Sequence, residues 1–217
     1  MKESTDMLDI CKYESLRVPS LVFFTFGFLM NVVYLSHSSI VAEIGFNPTL
    51  NQFLMNMSEL SCLPLILFVY SKVARKVSSI LLVLLGTVCS LISIFIKVPA
   101  NCEDCVTVFV QVGLAMVARF CIISSFSLNY MMIGEFYPTS ISELAIGTLG
   151  LICACGNLVG VILFTDSNEF SFSPYLLITL LMLAIGIVLF MAPETLGKQP
   201  QDQIQEVREL EEKLKEQ

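Results

Sequence analysis

Two stretches of this chain, Leu144–Thr165 and Pro174–Ala192, carry no charged residue at all. As helices, each can cross a hydrocarbon layer about 30 Å thick, which takes roughly 20 apolar residues. In water the outward face of such a helix would be left apolar, so the runs argue against a soluble domain. Four further apolar stretches accompany them: Leu21–Leu35 (extending to Ser36), Phe53–Tyr70, Ile80–Ile96 and Val106–Gly134. The pattern predicts an all-α membrane protein with six transmembrane helices. Composition agrees: of 217 residues, 55% are apolar and only 14% charged, against about 25% charged in a typical soluble domain, and mean hydropathy is +0.79.

The same numbers exclude several functions. A net charge of -7 leaves no basic surface for nucleic acid, so no nucleic-acid partner is expected. Dinucleotide, P-loop and metalloprotease fingerprints do not occur in the sequence. A single histidine, His37, leaves little scope for imidazole catalysis or metal binding. The chain is therefore expected to be no enzyme and to use no cofactor or metal. The leader carries Glu3, Asp6, Asp9 and Glu14 and has no small-residue cleavage site, so the first apolar run reads as a span rather than a signal peptide.

Orientation follows from Lys and Arg, which collect on the cytoplasmic side. With residues 1–18 inside, that side receives Lys2, Lys12 and Arg17, then Lys72, Arg75 and Lys76, then Lys198, Arg208, Lys213 and Lys215. The opposite loops hold only Lys97, and the remaining base, Arg119, lies within the fourth span. The expectation is a cytoplasmic N-terminal segment (1–18), a six-helix transmembrane domain (19–192) and a cytoplasmic amphipathic tail (193–217). In the tail Ile204, Val207, Leu210 and Leu214 recur at helical spacing.

Ionised groups at membrane depth cost about 2.5–3.5 kcal/mol each on insertion scales. Glu59 in the second span and Arg119 in the fourth must therefore face the bundle interior or an aqueous cavity. Two readings stay open: they line a solute pathway, or they pair with neighbours and hold helices together. Asn31, Asn56, Gln111, Asn129 and Asn157 read as interhelical hydrogen-bonding groups. Gly156 and Gly160 form a G-x-x-x-G that permits close helix packing, and Pro64 is expected to free one backbone carbonyl and kink the second span. Cys102 and Cys105 suggest a loop disulfide or free thiols. Five of the other cysteines lie within spans and read as small apolar residues.

The stretch from the fourth span to the fifth is the most specific part of the chain: Arg119-Phe120, Ser125-Phe126-Ser127, Tyr130, then Gly134-Glu135-Phe136-Tyr137-Pro138-Thr139. It resembles the organic cation, anion and carnitine transporter branch of the major facilitator superfamily, with its S-F-x-x-x-Y and E-L-Y-P-T-x-x-R patterns. Pro193-Glu194-Thr195-Leu196-Gly197-Lys198 is similar to the family's P-E-T-L-G-K ending, Leu8-Asp9-Ile10 to the stretch before its seventh helix, and Glu59 to an acidic position of its eighth. The resemblance covers only the second half of the family pattern. It implies two inverted three-helix repeats, like the C-terminal half of such a transporter.

Carried over residue by residue, the resemblance implies a transmembrane transporter of small organic solutes, organic ions among them, acting as half of an alternating-access carrier. Glu59, Arg119, Asn31, Tyr34 and Asn129 would line the substrate pathway. Lys72, Arg75, Lys76 and Glu135 would form a cytoplasmic gate. The expected setting is a multi-pass protein of the plasma membrane with both termini cytoplasmic. The expected partners are membrane lipid, a small organic solute, and either a second copy or a separate N-terminal half. Departures fall on working positions: Ser71 and Ala74 replace Asp and Gly of the family's basic loop, Ser142 replaces an Arg, Ala118 a Gly, and Ala154 a charged residue. They motivate the alternative of a non-transporting relative that modulates a full-length carrier.

Overall fold

The computed structural model describes residues 14–42, 44, 47–96, 106–165 and 174–193. These form seven helices: α1 (Glu14–Ala42), α2 (Pro48–Leu60), α3 (Cys62–Lys72), α4 (Arg75–Phe95), α5 (Val106–Phe136), α6 (Thr139–Thr165) and α7 (Pro174–Phe190). Leu8-Asp9-Ile10, the Cys102–Cys105 pair, the family-like ending from Glu194 and the amphipathic tail lie outside the described residues.

Local chemistry sets the boundaries. Helix α2 starts where the Asn47 side chain accepts from the Thr49 N–H at 3.0 Å and Pro48 supplies a first residue with no N–H to lose. One turn on, the Asn51 amide donates to the carbonyls of Val41 (3.1 Å) and Ile44 (2.9 Å), which lie at and beyond the end of α1. The second predicted span is two consecutive helices rather than one, parted at Ser61. Pro64 explains the break: it has no N–H to offer the Leu60 carbonyl, and its ring crowds that carbonyl. Helix α1 begins at Glu14, ahead of the expected boundary at residue 19, and includes Pro19.

Among the described residues, four helical stretches are long and apolar enough to cross a membrane: Leu16–Val41, Arg75–Phe95, Val106–Phe136 and Ile141–Leu163. Helix α7 is as apolar but has 17 residues, about 25 Å of helix. The distribution of polarity is that of a lipid-solvated bundle. Large apolar side chains point outward, among them Leu21, Leu67, Phe95, Leu151 and Ile187, while His37, Asn51, Gln111, Arg119, Ser124 and Asn129 are buried. Several hydroxyls in the helices return to the carbonyl one turn back, as Ser36 does to Val32, Thr87 to Val83 and Ser93 to Cys89. These hydroxyl donors are thereby kept from facing hydrocarbon unpaired. Cys62, Cys89, Cys121 and Cys153 are buried free thiols and Cys155 an exposed one, in keeping with their reading as small apolar residues.

Packing runs α1 on α6, α4 on α5 and α7, α1 on α5 and α7, and α5 on α2 and α3. The α1–α6 seam is a close backbone approach. A Cβ added at Gly156 would sit 2.6 Å from the Phe28 carbonyl oxygen, and one at Gly160 would sit 2.9 Å from that of Val32. The expected role of the G-x-x-x-G as a packing surface is borne out.

Candidate functional site

Helix α5 carries Arg119 to the centre of the bundle, where only 1% of it is exposed. The α2 helix delivers Glu59 to the same place from the opposite side. Arg119 Nε and Nη2 both donate to Glu59 Oε1, at 2.7 and 2.6 Å. Tyr34 on α1 completes the cluster in three ways. Its carbonyl accepts from Arg119 Nη1 at 2.7 Å, its hydroxyl donates to Glu59 Oε1 at 3.2 Å, and its ring lies 3.5 Å from the guanidinium carbon. The guanidinium thus has a counterion, an extra acceptor and an aromatic face, the set that makes a buried arginine tolerable. Of the two readings left open by the sequence, pairing is observed: the two charges neutralise each other and pin α2 to α5.

A cavity of about 260 Å³ opens beside the cluster, lined by Met30, Asn31 and Tyr34 of α1 and by Ile122, Ile123 and Phe126 of α5. Tyr34 is shared by the ion-pair cluster and the cavity wall. Asn31 donates to the Gly27 carbonyl at 2.9 Å, which fixes its side chain along the helix. Its Cβ lies 3.2 Å from the point where a Gly156 Cβ would be, so the missing side chain of Gly156 leaves room for it. Phe126 is held edge-on to Tyr130, with centroids 4.9 Å apart and planes at 89°.

Asn129 is not part of this constellation. It lies ten residues further along α5, about 15 Å of helix rise from Arg119, and its amide donates to the Phe23 carbonyl at 3.4 Å in the bundle interior. Residues that the sequence reading missed, Met30, Ile122 and Ile123, are apolar positions with no pattern to distinguish them from core. His37, one turn beyond Tyr34, is buried in the bundle.

At the other end of the bundle, Arg75 at the start of α4 pairs with Glu135 near the end of α5 at 2.5 Å. The partner that Ser142 cannot supply to Glu135 is therefore found on α4. Lys76 turns elsewhere: its Nζ donates to the Phe190 carbonyl of α7 at 2.8 Å. Lys72 closes α3. Tyr137, of the Glu135–Thr139 motif, is fully buried and donates to Ser20 Oγ at 2.5 Å, which in turn donates to the Leu16 carbonyl at 2.5 Å. That motif thus ties α1 to the end of α5. Reversing the Arg75–Glu135 pair gives a direct check. Glu135→Lys alone is expected to lower the stability of the detergent-solubilised protein by about 3 kcal/mol, the low end for a broken buried pair, and Arg75→Glu with Glu135→Lys to restore most of it; a double variant as unstable as the single would show that the ion pair is not what joins these helices.

A bundle with apolar helices outward, a buried ion pair at its centre and a largely apolar cavity beside it is a multi-pass helical membrane protein. No family model matches the chain. Its homologues among curated proteins are solute carrier family 22 proteins and an organic cation transporter protein. It is 24% identical to human solute carrier family 22 member 13 over 204 residues, covering 94% of this chain and 36% of that protein. Identity to human member 16 is 26% over 185 residues, covering 85% and 31%. Identity to the organic cation transporter protein of Drosophila melanogaster is 23% over 192 residues, covering 88% and 34%. The resemblance read from the sequence holds, and these relatives are carriers, not enzymes. The chain spans about a third of the length of the curated relatives it matches.

Proposed function

We propose that the chain is one six-helix half of an alternating-access carrier for small organic solutes, organic ions among them. The observation that carries this reading is the cavity of about 260 Å³ against the Tyr34–Glu59–Arg119 cluster. Its walls come from α1 and α5, the leading helices of two triplets: α1, the α2–α3 pair and α4, then α5, α6 and α7. The packing supports the inverted repeat. Exchanging the triplets maps α1 on α6 onto α5 on α2–α3, and α4 on α5 onto α7 on α1, and all of these contacts occur. Complete small-molecule pockets run from about 300 to 1,000 Å³, so the observed volume suits one wall of a site that a second half or a second copy completes.

In this reading Asn31, Tyr34, Glu59 and Arg119 line the solute pathway, with Asn129 supporting α1 rather than touching solute. Lys72, Arg75, Lys76 and Glu135 form the cytoplasmic gate. Residues 1–18 and 193–217 lie in the cytoplasm, flanking a transmembrane domain over 19–192, at the plasma membrane. The wall is apolar and aromatic with one amide, and its ion pair is internally neutral. That environment favours solutes with a sizeable apolar body over small inorganic ions.

Uptake of a labelled quaternary ammonium and of a labelled aryl carboxylate, measured in cells expressing the protein at its native length, tests the proposal. Ile123→Trp fills the cavity and is expected to reduce uptake at least about tenfold with surface expression unchanged, the order of loss that follows when a bound geometry is blocked. Uptake insensitive to filling this cavity would place the pathway elsewhere.

A further inference from the structure

A second concavity lies on the outer surface of the bundle, away from the ion pair. It is a groove of about 330 Å³ between α4 and α7, walled by Ile80, Val83 and Thr87 on one side and Met182, Gly186 and Phe190 on the other. The wall is apolar throughout, because the one hydroxyl in it, on Thr87, is spent on the Val83 carbonyl at 2.7 Å. Gly186 keeps the groove open: even a Cβ there would come to 3.8 Å from Val83 Cγ1, so a larger side chain would close the channel.

Lys76 stands one helical turn before Ile80 and on the same face of α4, at the mouth of the groove. Its Nζ is held there by the Phe190 carbonyl at 2.8 Å and lies 5.9 Å from the centre of the Phe190 ring. One of the three ammonium donors is used by that carbonyl, which leaves donors for an anion. Arg75 beside it is already neutralised by Glu135. From Lys76 to Thr87 the groove follows about 16 Å of helix, close to half of a hydrocarbon core about 30 Å thick. A cation at one end and an apolar channel one leaflet deep match the two parts of a single lipid molecule.

We propose that this groove is a binding site for an anionic glycerophospholipid, with one acyl chain between α4 and α7 and the phosphate-bearing headgroup on Lys76. The leaflet concerned is the one at the Lys76 end of the bundle; only its naming as cytoplasmic rests on the orientation proposed above. Bound lipid would join the start of α4 to the end of α7, adding to the contact that Lys76 already makes across the same seam.

The chain contains no tryptophan, so one introduced indole reports one place. Ile187, 70% exposed on α7 at the groove rim, is replaced in Ile187→Trp. Leu151, 69% exposed on α6 and remote from the groove, serves as the reference in Leu151→Trp. Both are placed in phosphatidylcholine nanodiscs and titrated with phosphatidylserine or phosphatidylcholine brominated at mid-chain. At Ile187→Trp, brominated phosphatidylserine is expected to reach half-quenching at a mole fraction about fivefold lower than brominated phosphatidylcholine, the preference one basic residue near the surface supports. At Leu151→Trp the two lipids should quench alike. Adding Lys76→Gln should abolish the preference, and adding Gly186→Leu should abolish it with the charge still present. Equal quenching by both lipids at Ile187→Trp, or a preference that survives either second substitution, would overturn the proposal. These readouts are independent of transport.

Discussion

Replacing Glu59 with Leu is expected to destabilise the bundle more than replacing Arg119 with Met, and making both changes together is expected to recover most of the loss. The asymmetry follows from exposure. The Arg119 side chain is 1% exposed and the Glu59 side chain 25%. Glu59→Leu therefore leaves a guanidinium with no counterion in the bundle interior, while Arg119→Met leaves a carboxylate that is partly exposed. Removing one partner of a buried pair costs about 3–5 kcal/mol, whereas replacing both by apolar groups is often close to neutral. Thermal unfolding of the detergent-solubilised single and double variants measures the coupling directly, and the expected drop for Glu59→Leu is on the order of 10 °C. Purely additive single and double effects would mean that the two charges are not each other's main partner. The double variant also separates two roles. If stability returns and uptake does not, the pair serves the solute as well as the fold.

That pair also shows how far the sequence could be read. The cost of charge in hydrocarbon marks Glu59 and Arg119 as inward-facing without any structure. It cannot say that they meet, because their separation along the chain carries no information about helix adjacency. Tyr34 was readable only by resemblance, since its part in the cluster runs through a backbone carbonyl and a ring face as well as its hydroxyl. Asn129 went the other way: polar and in the right helix, it turns its amide to the Phe23 carbonyl and is not among the residues that line the cavity with Asn31 and Tyr34. The apolar helices were legible from hydropathy and a kink from Pro64, whereas the full break at Ser61 and the partner of Glu135 were not. Loss of the expected Arg at Ser142 suggested a missing contact, but Arg75 reaches Glu135 from α4, a substitution of partner that only the packing of α4 on α5 reveals. The groove between α4 and α7 was equally invisible, because its walls are apolar residues in two helices far apart in sequence.

The largest effects elsewhere should come from adding a single methyl group to α6, with opposite signs on its two faces. At Gly156 a Cβ would meet the Phe28 carbonyl oxygen at 2.6 Å, and at Gly160 the Val32 carbonyl oxygen at 2.9 Å. Both obstacles are backbone of α1, which cannot swing aside as a side chain would, so the two helices must separate. Overpacking of this kind costs about 1–3 kcal/mol and sometimes more. At Gly147 and Gly150, on the same helix, an added Cβ meets nothing within 4 Å. There the exchange brings only the helical preference of Ala over Gly, worth about 1 kcal/mol in favour of the variant. Gly27→Ala should fall between, because its nearest obstacle, Leu149 Cδ1 at 2.5 Å, is the end of a flexible side chain. Thermal unfolding should therefore rank Gly156→Ala lowest, then Gly160→Ala, then Gly27→Ala, with Gly147→Ala and Gly150→Ala at or above the parent. Gly156→Ala should also displace Asn31, whose Cβ lies 3.2 Å from the added methyl, and so alter the cavity wall; Gly160→Ala has no such neighbour and should affect stability with less effect on uptake per degree lost. If all five substitutions were equally tolerated, the close α1–α6 approach would not exist in the membrane, and the cavity between α1 and α5 would lose the support that shapes it.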